Sequence, residues 1–298
     1  MKVKANNISI EVEDTGGSGP AVLLVMGLGM QLIAWPEPFV QALADAGCRV
    51  LRHDNRDIGL SQHFDHVRTP NLLWEALRQK MGLAVRAPYS LQDMALDALG
   101  VLDALKIEQA HVIGVSMGGM IAQRMAATAP GRVRTLTSVM SSSGAAGLPG
   151  PRHDVGAALM RRPPAGAEAA LVEHALGLVR LIASPGWPFD EAGARERILT
   201  GMRRSHHPAG MLRQMLAIGA DTGRRPQVLP RIASPTLVLH GDADPLVPIT
   251  CGQDTAQRIP GARFAAIAGM AHDLPEGALP VLLSHILPFL ASAERSAP

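Results

Sequence analysis

A serine between two glycines is one way a polypeptide can present a nucleophile. This chain carries one in the run Gly114-Val115-Ser116-Met117-Gly118-Gly119. A short apolar segment, His111-Val112-Ile113, precedes it, and a helix-like stretch from Met120 to Ala129 follows. A strand that turns this sharply into a helix holds its serine in a strained backbone conformation. Side chains two residues before and after the serine would meet the crossing backbone, so glycine is needed at both places. The hydroxyl then stands at the positive end of the helix, where the Met117 N–H faces a developing oxyanion. Residue frequencies alone give roughly 0.15 such pentapeptides in a chain of this size, so the motif takes its meaning from its surroundings.

Serine is a poor nucleophile until a base removes its proton, and that base is normally a histidine oriented by a buried carboxylate. Both partners lie downstream. His240-Gly241-Asp242-Ala243-Asp244-Pro245 follows the apolar segment Thr236 to Leu239. Ala268-Gly269-Met270-Ala271-His272 follows Ala262 to Ile267 in the same way. Read as strands of a parallel sheet, these segments deliver a carboxylate and an imidazole to the C-terminal strand ends, where catalytic groups gather. Asp242 and Asp244 are both placed to serve.

The elements needed for that sheet are legible. Val3 to Ala5 and Ile8 to Val12 flank Asn6-Asn7, a pair suited to a tight hairpin turn. Ala21 to Met26 is a continuous apolar run, the mark of a strand buried on both faces. Arg49 to His53 and Val133 to Val139 read as further strands, with helices over Phe39 to Ala46, Leu91 to Leu105 and roughly Ala278 to Ala291. Alternating strands and helices predict an α/β fold, a mostly parallel sheet with helices on both faces. Residues 142–230 break the alternation. They hold amphipathic pieces such as Glu168 to Ile182 and Ala194 to Arg204 but no clear buried strand. We read 142–230 as an inserted helical cap on a core formed by residues 1–141 and 231–298.

Composition fits this reading. Hydrophobic residues are 47% and charged residues 18% of 298, a globular balance. A formal charge of +2 provides no footprint for nucleic acid. The arginine pairs at 161–162, 203–204 and 224–225 read mostly as solvated surface. Cys48 and Cys251 do not make a disulfide framework. The N-terminus lacks the apolar core of a signal peptide, and no uninterrupted apolar run is long enough to cross a bilayer. A cytoplasmic protein without nucleic-acid or membrane partners is expected.

With these motifs in view, the chain resembles α/β-hydrolases of the esterase type over nearly its full length, least so in the cap. The resemblance is carried by GVSMGG, by HGDADPLVP from His240, by GMAH ending at His272, and by RHDNRDIGLS ending at Ser61. The segments LLVMGLGMQLIAWP and SPGWPFDE are similar to the aclacinomycin methylesterase group, which hydrolyses methyl esters of polyketide antibiotics. The resemblance implies an α/β-hydrolase fold with Ser116 as nucleophile, His272 as base and Asp244 as acid, Asp242 being the rival. It implies an oxyanion hole from the backbone N–H groups of Leu28 and Met117. Met26 stands where the family often has histidine, but the donor there is a backbone amide. No cofactor and no metal are implied, and His206-His207 lack metal-ligand spacing.

The expected substrate is a small-molecule ester with an apolar portion, which Met160, Leu181, Trp187, Met211 and Met215 of the cap would suit. The same triad also serves perhydrolases, lactonases and iminopeptidases, the last needing acids such as Glu168, Glu173, Glu191 or Glu196 to hold a free amine. A small-molecule receptor that retains the fold is the non-catalytic alternative. Asp54, Arg56, Gly59 and Ser61 are expected to pin a turn beside the site, His240 to be buried support, and Asp273 to be structural.

Overall fold

The computed structural model describes residues 1–164 and 166–295. Residue 165, inside the expected cap, and residues 296–298, at the end of the expected core, lie outside the described residues. The first half contains β1 (Lys2–Ala5), β2 (Ile8–Asp14), β3 (Ala21–Val25), α1 (Glu37–Asp45), β4 (Arg49–His53), α2 (Leu72–Lys80), α3 (Leu91–Ala104), β5 (Ala110–Val115), α4 (Met117–Thr128) and β6 (Val133–Val139). Four helices follow without a strand: α5 (His153–Met160), α6 (Glu168–Ile182), α7 (Glu191–Arg204) and α8 (Pro208–Asp221). The chain then returns through β7 (Thr236–Gly241), α9 (Ile249–Arg258), β8 (Arg263–Ile267) and α10 (Leu279–Arg295).

All eight strands form one sheet in the order β1-β2-β4-β3-β5-β6-β7-β8. β1 and β2 pair antiparallel, as does β2 with β4, and every later pairing is parallel. Asn6 and Asn7 both have positive φ, 46° and 65°, which lets a two-residue turn close the first hairpin.

The apolar run of β3 explains why helices cover both faces. Leu23 and Val25 point into a core built with α3 and α4, while Val22 and Leu24 point into a second core built with α1 and α10. This is the period of two expected of a strand, with neither face left to water. Residues 276–295 are long and apolar enough to span a bilayer by composition. Here Leu279, Leu282, Ile286, Phe289 and Leu290 of that segment pack into the second core instead.

The structure departs from the sequence reading at two helices and two arginines. α2 and α9 lie where the sequence reading names no helix. Arg204 and Arg225 are not surface arginines: Arg204 pairs with the fully buried Asp54 at 2.7 Å, and Arg225, itself buried, pairs with Asp221. The reason in each case is a carboxylate, Asp54 from 150 positions away for Arg204 and Asp221 from four residues earlier for Arg225, since a buried guanidinium survives only when paired.

Candidate active site

Ser116 sits between β5 and α4 with φ 56° and ψ −119°, a strained conformation for a residue with a side chain. The glycines around it explain how the corner closes. A Cβ on Gly114 would lie 2.2 Å from the Gly118 carbonyl oxygen, and one on Gly118 would lie 2.0 Å from the Val25 carbonyl oxygen. The corner is pinned at its back, where the Ser116 N–H donates to the Val139 carbonyl at 2.9 Å and Ser141 Oγ donates to the Ser116 carbonyl at 2.7 Å.

Two loops from neighbouring strand ends meet the serine. His272, five residues beyond β8, places Nε2 2.9 Å from Ser116 Oγ and Nδ1 2.7 Å from Asp244 Oδ2. A carboxylate can only accept, so Nδ1 carries the proton and Nε2 is left to accept from the serine hydroxyl. Asp244 follows β7. Its Oδ1 accepts the N–H groups of Leu246 and Val247 at 2.9 and 2.8 Å. Burial acts to raise the Asp244 carboxyl, but the His240 ring 3.6 Å away, the hydrogen bond and charge of His272 and the Val247 N–H outweigh it and hold the group at about 2. The rival Asp242 accepts the Gly269 N–H at 2.8 Å, bracing the loop that leads to His272.

His240 is fully buried beneath Asp244 and its Nε2 lies 2.7 Å from the Val247 carbonyl. Asp273 bonds Ser184 through both its N–H and its hydroxyl, and burial raises its carboxyl. Ser184 Oγ also accepts the Ala271 N–H at 2.8 Å, while the His272 N–H donates to the Ile182 carbonyl at 3.0 Å. The segment after α6 therefore holds the histidine loop, a role the sequence reading did not assign.

Leu28 and Met117 flank the serine. Gly27 is so close that a Cβ there would lie 3.3 Å from Ser116 Cβ, which places the following Leu28 on the loop beside the nucleophile. Met117 is the first residue of α4, where helical N–H groups lack an intrahelical acceptor. Among the described residues neither N–H is paired with a backbone acceptor in a turn or loop.

The loop carrying Leu28 is itself clamped by the cap. Gln214 in α8 is fully buried. Its Oε1 accepts the Gly29 N–H at 2.9 Å and its amide donates to the Arg56 carbonyl at 2.9 Å. Gln31 donates to the Gly201 and Ser205 carbonyls, and Arg204 bridges Gln31 to Asp54. Asp54 also accepts the N–H groups of Leu32 and Leu60, and Ser61 Oγ donates to its carbonyl. Asp54 and Ser61 thus pin the turn beside the site as expected, while Arg56 pairs with Asp97 at 2.5 Å.

The apolar cap residues divide. Met211 lies against Gly29, 3.2 Å from where a Cβ would be. Met160 is 43% exposed, and Trp187 packs on the second core. Of the four cap acids, Glu168 meets Arg203, Glu173 and Glu191 share Arg180 and Arg195, and Glu196 accepts from the Thr200 hydroxyl. The histidines and carboxylates close enough to share an ion are, among the described residues, His63, Asp65 and His207. The two rings stack 3.8 Å apart with planes 5° from parallel, so their in-plane lone pairs run side by side instead of converging. Arg213 also occupies Asp65.

Comparison with known proteins agrees with the fold. A profile of the alpha/beta hydrolase fold matches residues 20–164. The chain is 32% identical to rhodomycin D methylesterase DauP of Streptomyces sp. (strain C5), covering 92% of each. It is 30% identical to rhodomycin D methylesterase DnrP of Streptomyces peucetius over 85% of each. Among solved structures, the meta-cleavage product hydrolase CumD of Pseudomonas fluorescens IP01 superimposes with a TM-score of 0.77 over 98% of both chains at 18% identity, a likeness of fold.

Proposed function

The chain belongs to the α/β-hydrolase family, and from that premise we propose that it is a serine carboxylesterase acting on small-molecule esters, with methyl esters as the first class to test. The observation that carries this reading is the continuous chain of hydrogen bonds from Ser116 Oγ through His272 to Asp244. The methylesterase names of the two Streptomyces relatives support the choice of methyl ester.

The reaction follows from the geometry. His272 Nε2 takes the hydroxyl proton as Ser116 Oγ attacks the ester carbonyl carbon. The oxyanion that forms accepts from the Leu28 and Met117 N–H groups. The intermediate collapses by breaking the bond to the alcohol oxygen, which leaves with the proton held on His272. Water then attacks the acyl-enzyme, giving its proton to His272, and the acid leaves as Ser116 recovers its own. Throughout, Asp244 remains ionised and stabilises the imidazolium.

An iminopeptidase would need an unpaired acid for a free amine; Glu168, Glu173 and Glu191 meet arginines, so that reading rests on Glu196, which accepts from the Thr200 hydroxyl. Peracid formation and lactone opening use the same triad and differ in the nucleophile of the second step or the ring of the substrate.

The test is covalent labelling with a fluorophosphonate together with turnover of short p-nitrophenyl esters. The wild type should label and turn over, and Ser116→Ala should do neither while keeping its circular dichroism. Failure of the wild type to label would overturn the esterase reading and favour a receptor.

A further inference from the structure

α2 turns its apolar side outward. Leu73, Trp74 and Leu77, with Met81 and Leu83 just after the helix, are between 46 and 70% exposed. They are five of the thirteen large hydrophobic residues exposed among the described residues, gathered within eleven positions. Scattered exposed hydrophobics are ordinary, but a contiguous cluster of this kind marks an interaction surface.

We propose that this face of α2 is a docking surface for an anionic lipid bilayer, on which the protein rests peripherally. At about 100° per residue, Leu73, Leu77, Met81 and Trp74 fall on one arc of the helix, with Lys80 beside one edge and Arg78 beside the other. An apolar arc bordered by cations is the pattern of a helix lying in the headgroup plane, its rings and aliphatic chains below and its charges level with phosphate. Trp74, half exposed, is the residue type that prefers that interface. The one carboxylate of the helix, Glu75, faces inward and is held by Arg78 and Arg86.

Charge selects the occupant. In residues 66–90, Arg68, Arg78, Lys80 and Arg86 outnumber Glu75, a net +3 in a chain whose formal total is +2; with Arg78 and Arg86 on Glu75, Arg68 and Lys80 have no carboxylate within this stretch. A second copy docked symmetrically through this face would set those cations against their own equivalents with no carboxylate to answer them. A surface of anionic headgroups answers all of them. Docking of this kind needs no membrane-spanning segment. It would also set the cap close to the bilayer, because Gln79 donates to the Gly219 carbonyl of α8, the helix that carries Met211 and Gln214.

The experiment is cosedimentation of the full chain with vesicles of phosphatidylcholine alone or mixed with phosphatidylglycerol, with tryptophan emission read in parallel. Binding only to the anionic vesicles, with a blue-shifted Trp74 emission that added salt reverses, is the expected result. Lys80→Ala should weaken partitioning about fivefold. Leu73→Ser with Leu77→Ser should abolish it without changing the melting temperature, since both side chains are exposed. Absence of binding to anionic vesicles, or equal binding to both kinds, would overturn the proposal. So would a dimer in sedimentation velocity that the double variant dissociates. Binding is read without turnover, so its failure leaves the reading of Ser116 untouched.

Discussion

The buried side chain of Gln214 accepts the Gly29 N–H across 185 positions of sequence, joining cap helix α8 to the loop that carries Leu28. One end of the amide holds that loop and the other donates to the Arg56 carbonyl, so both of its functional groups are spent on position. An oxyanion donor works only where it meets the developing charge, so if Leu28 is that donor, as proposed, the buried Gln214 acts on the chemistry through the loop. Gln214→Ala should therefore lower kcat by about ten- to a hundredfold with little change in KM, and lower stability by about 1–3 kcal/mol for the orphaned polar groups. Steady-state kinetics on a p-nitrophenyl ester, with denaturant titration alongside, would check both. A loss confined to stability would show that Gln214 is packing alone.

The two neighbouring aspartates should separate cleanly. Asp244 reaches His272 Nδ1 at 2.7 Å, whereas Asp242 accepts only a backbone N–H, from Gly269. Asp244→Asn leaves a side chain of the same shape whose amide cannot hold the imidazole in the needed tautomer, and kcat should fall by about 10⁴-fold. Asp242→Asn keeps an oxygen for Gly269 and should stay within about threefold of the wild type. Parallel kinetics of the two variants decide the assignment, and an inactive Asp242→Asn would reverse it.

Ser116, the Asp242/Asp244 pair and the Gly27-Leu28 loop each follow a run buried along its length, β5, β7 or β3, and His272 follows the half-exposed edge strand β8; strand ends collect catalytic groups, while the roles of Leu28 and Asp244 were legible only through the family resemblance. Gln214 could not be read from sequence. Its partners are made by tertiary approach, and a glutamine among Met211, Leu212 and Met215 carries no local sign of them. Arg204 and Arg225 misled for the same reason: arginine defaults to the surface unless a buried carboxylate, here Asp54 or Asp221, arrives from distant sequence or the next turn. α2 was missed because its apolar residues face outward, so its pattern does not point to a core.

His53 offers a pH test independent of catalysis. It ends β4 almost wholly buried, and burial lowers its ring to about 4; the Asn55 side chain opposes this weakly and does not reach hydrogen-bond geometry with either ring nitrogen. An unfolded histidine titrates near 6.5. Between those values the unfolded chain binds more protons than the native one, so the contribution is intact above about 6.5 and is lost as pH falls toward 4. The loss is of order 3 kcal/mol over that window. His53→Leu, similar in volume and without a titrating group, should flatten this part of the stability profile. Urea titrations of both proteins from pH 7 to 4.5 would check it, and parallel curves would exclude His53 as the source.

The serine corner leaves no room for a side chain at its second glycine. A Cβ at position 118 would lie 2.0 Å from the Val25 carbonyl oxygen, and both partners are backbone, so no side chain can swing aside. α4 would have to lift from β3, moving the Met117 N–H and Ser116 together. Gly118→Ala should cost about 3 kcal/mol or more and remove turnover even where the protein still folds. Gly131, just beyond α4, has open space where its Cβ would be and no positive φ. Gly131→Ala should leave turnover unchanged and raise stability by about 0.4–1 kcal/mol through the unfolded chain. Measuring melting temperature and fluorophosphonate labelling on the pair separates the two effects. If Gly118→Ala labels at the wild-type rate, the contact between β3 and the corner does not set the nucleophile's position.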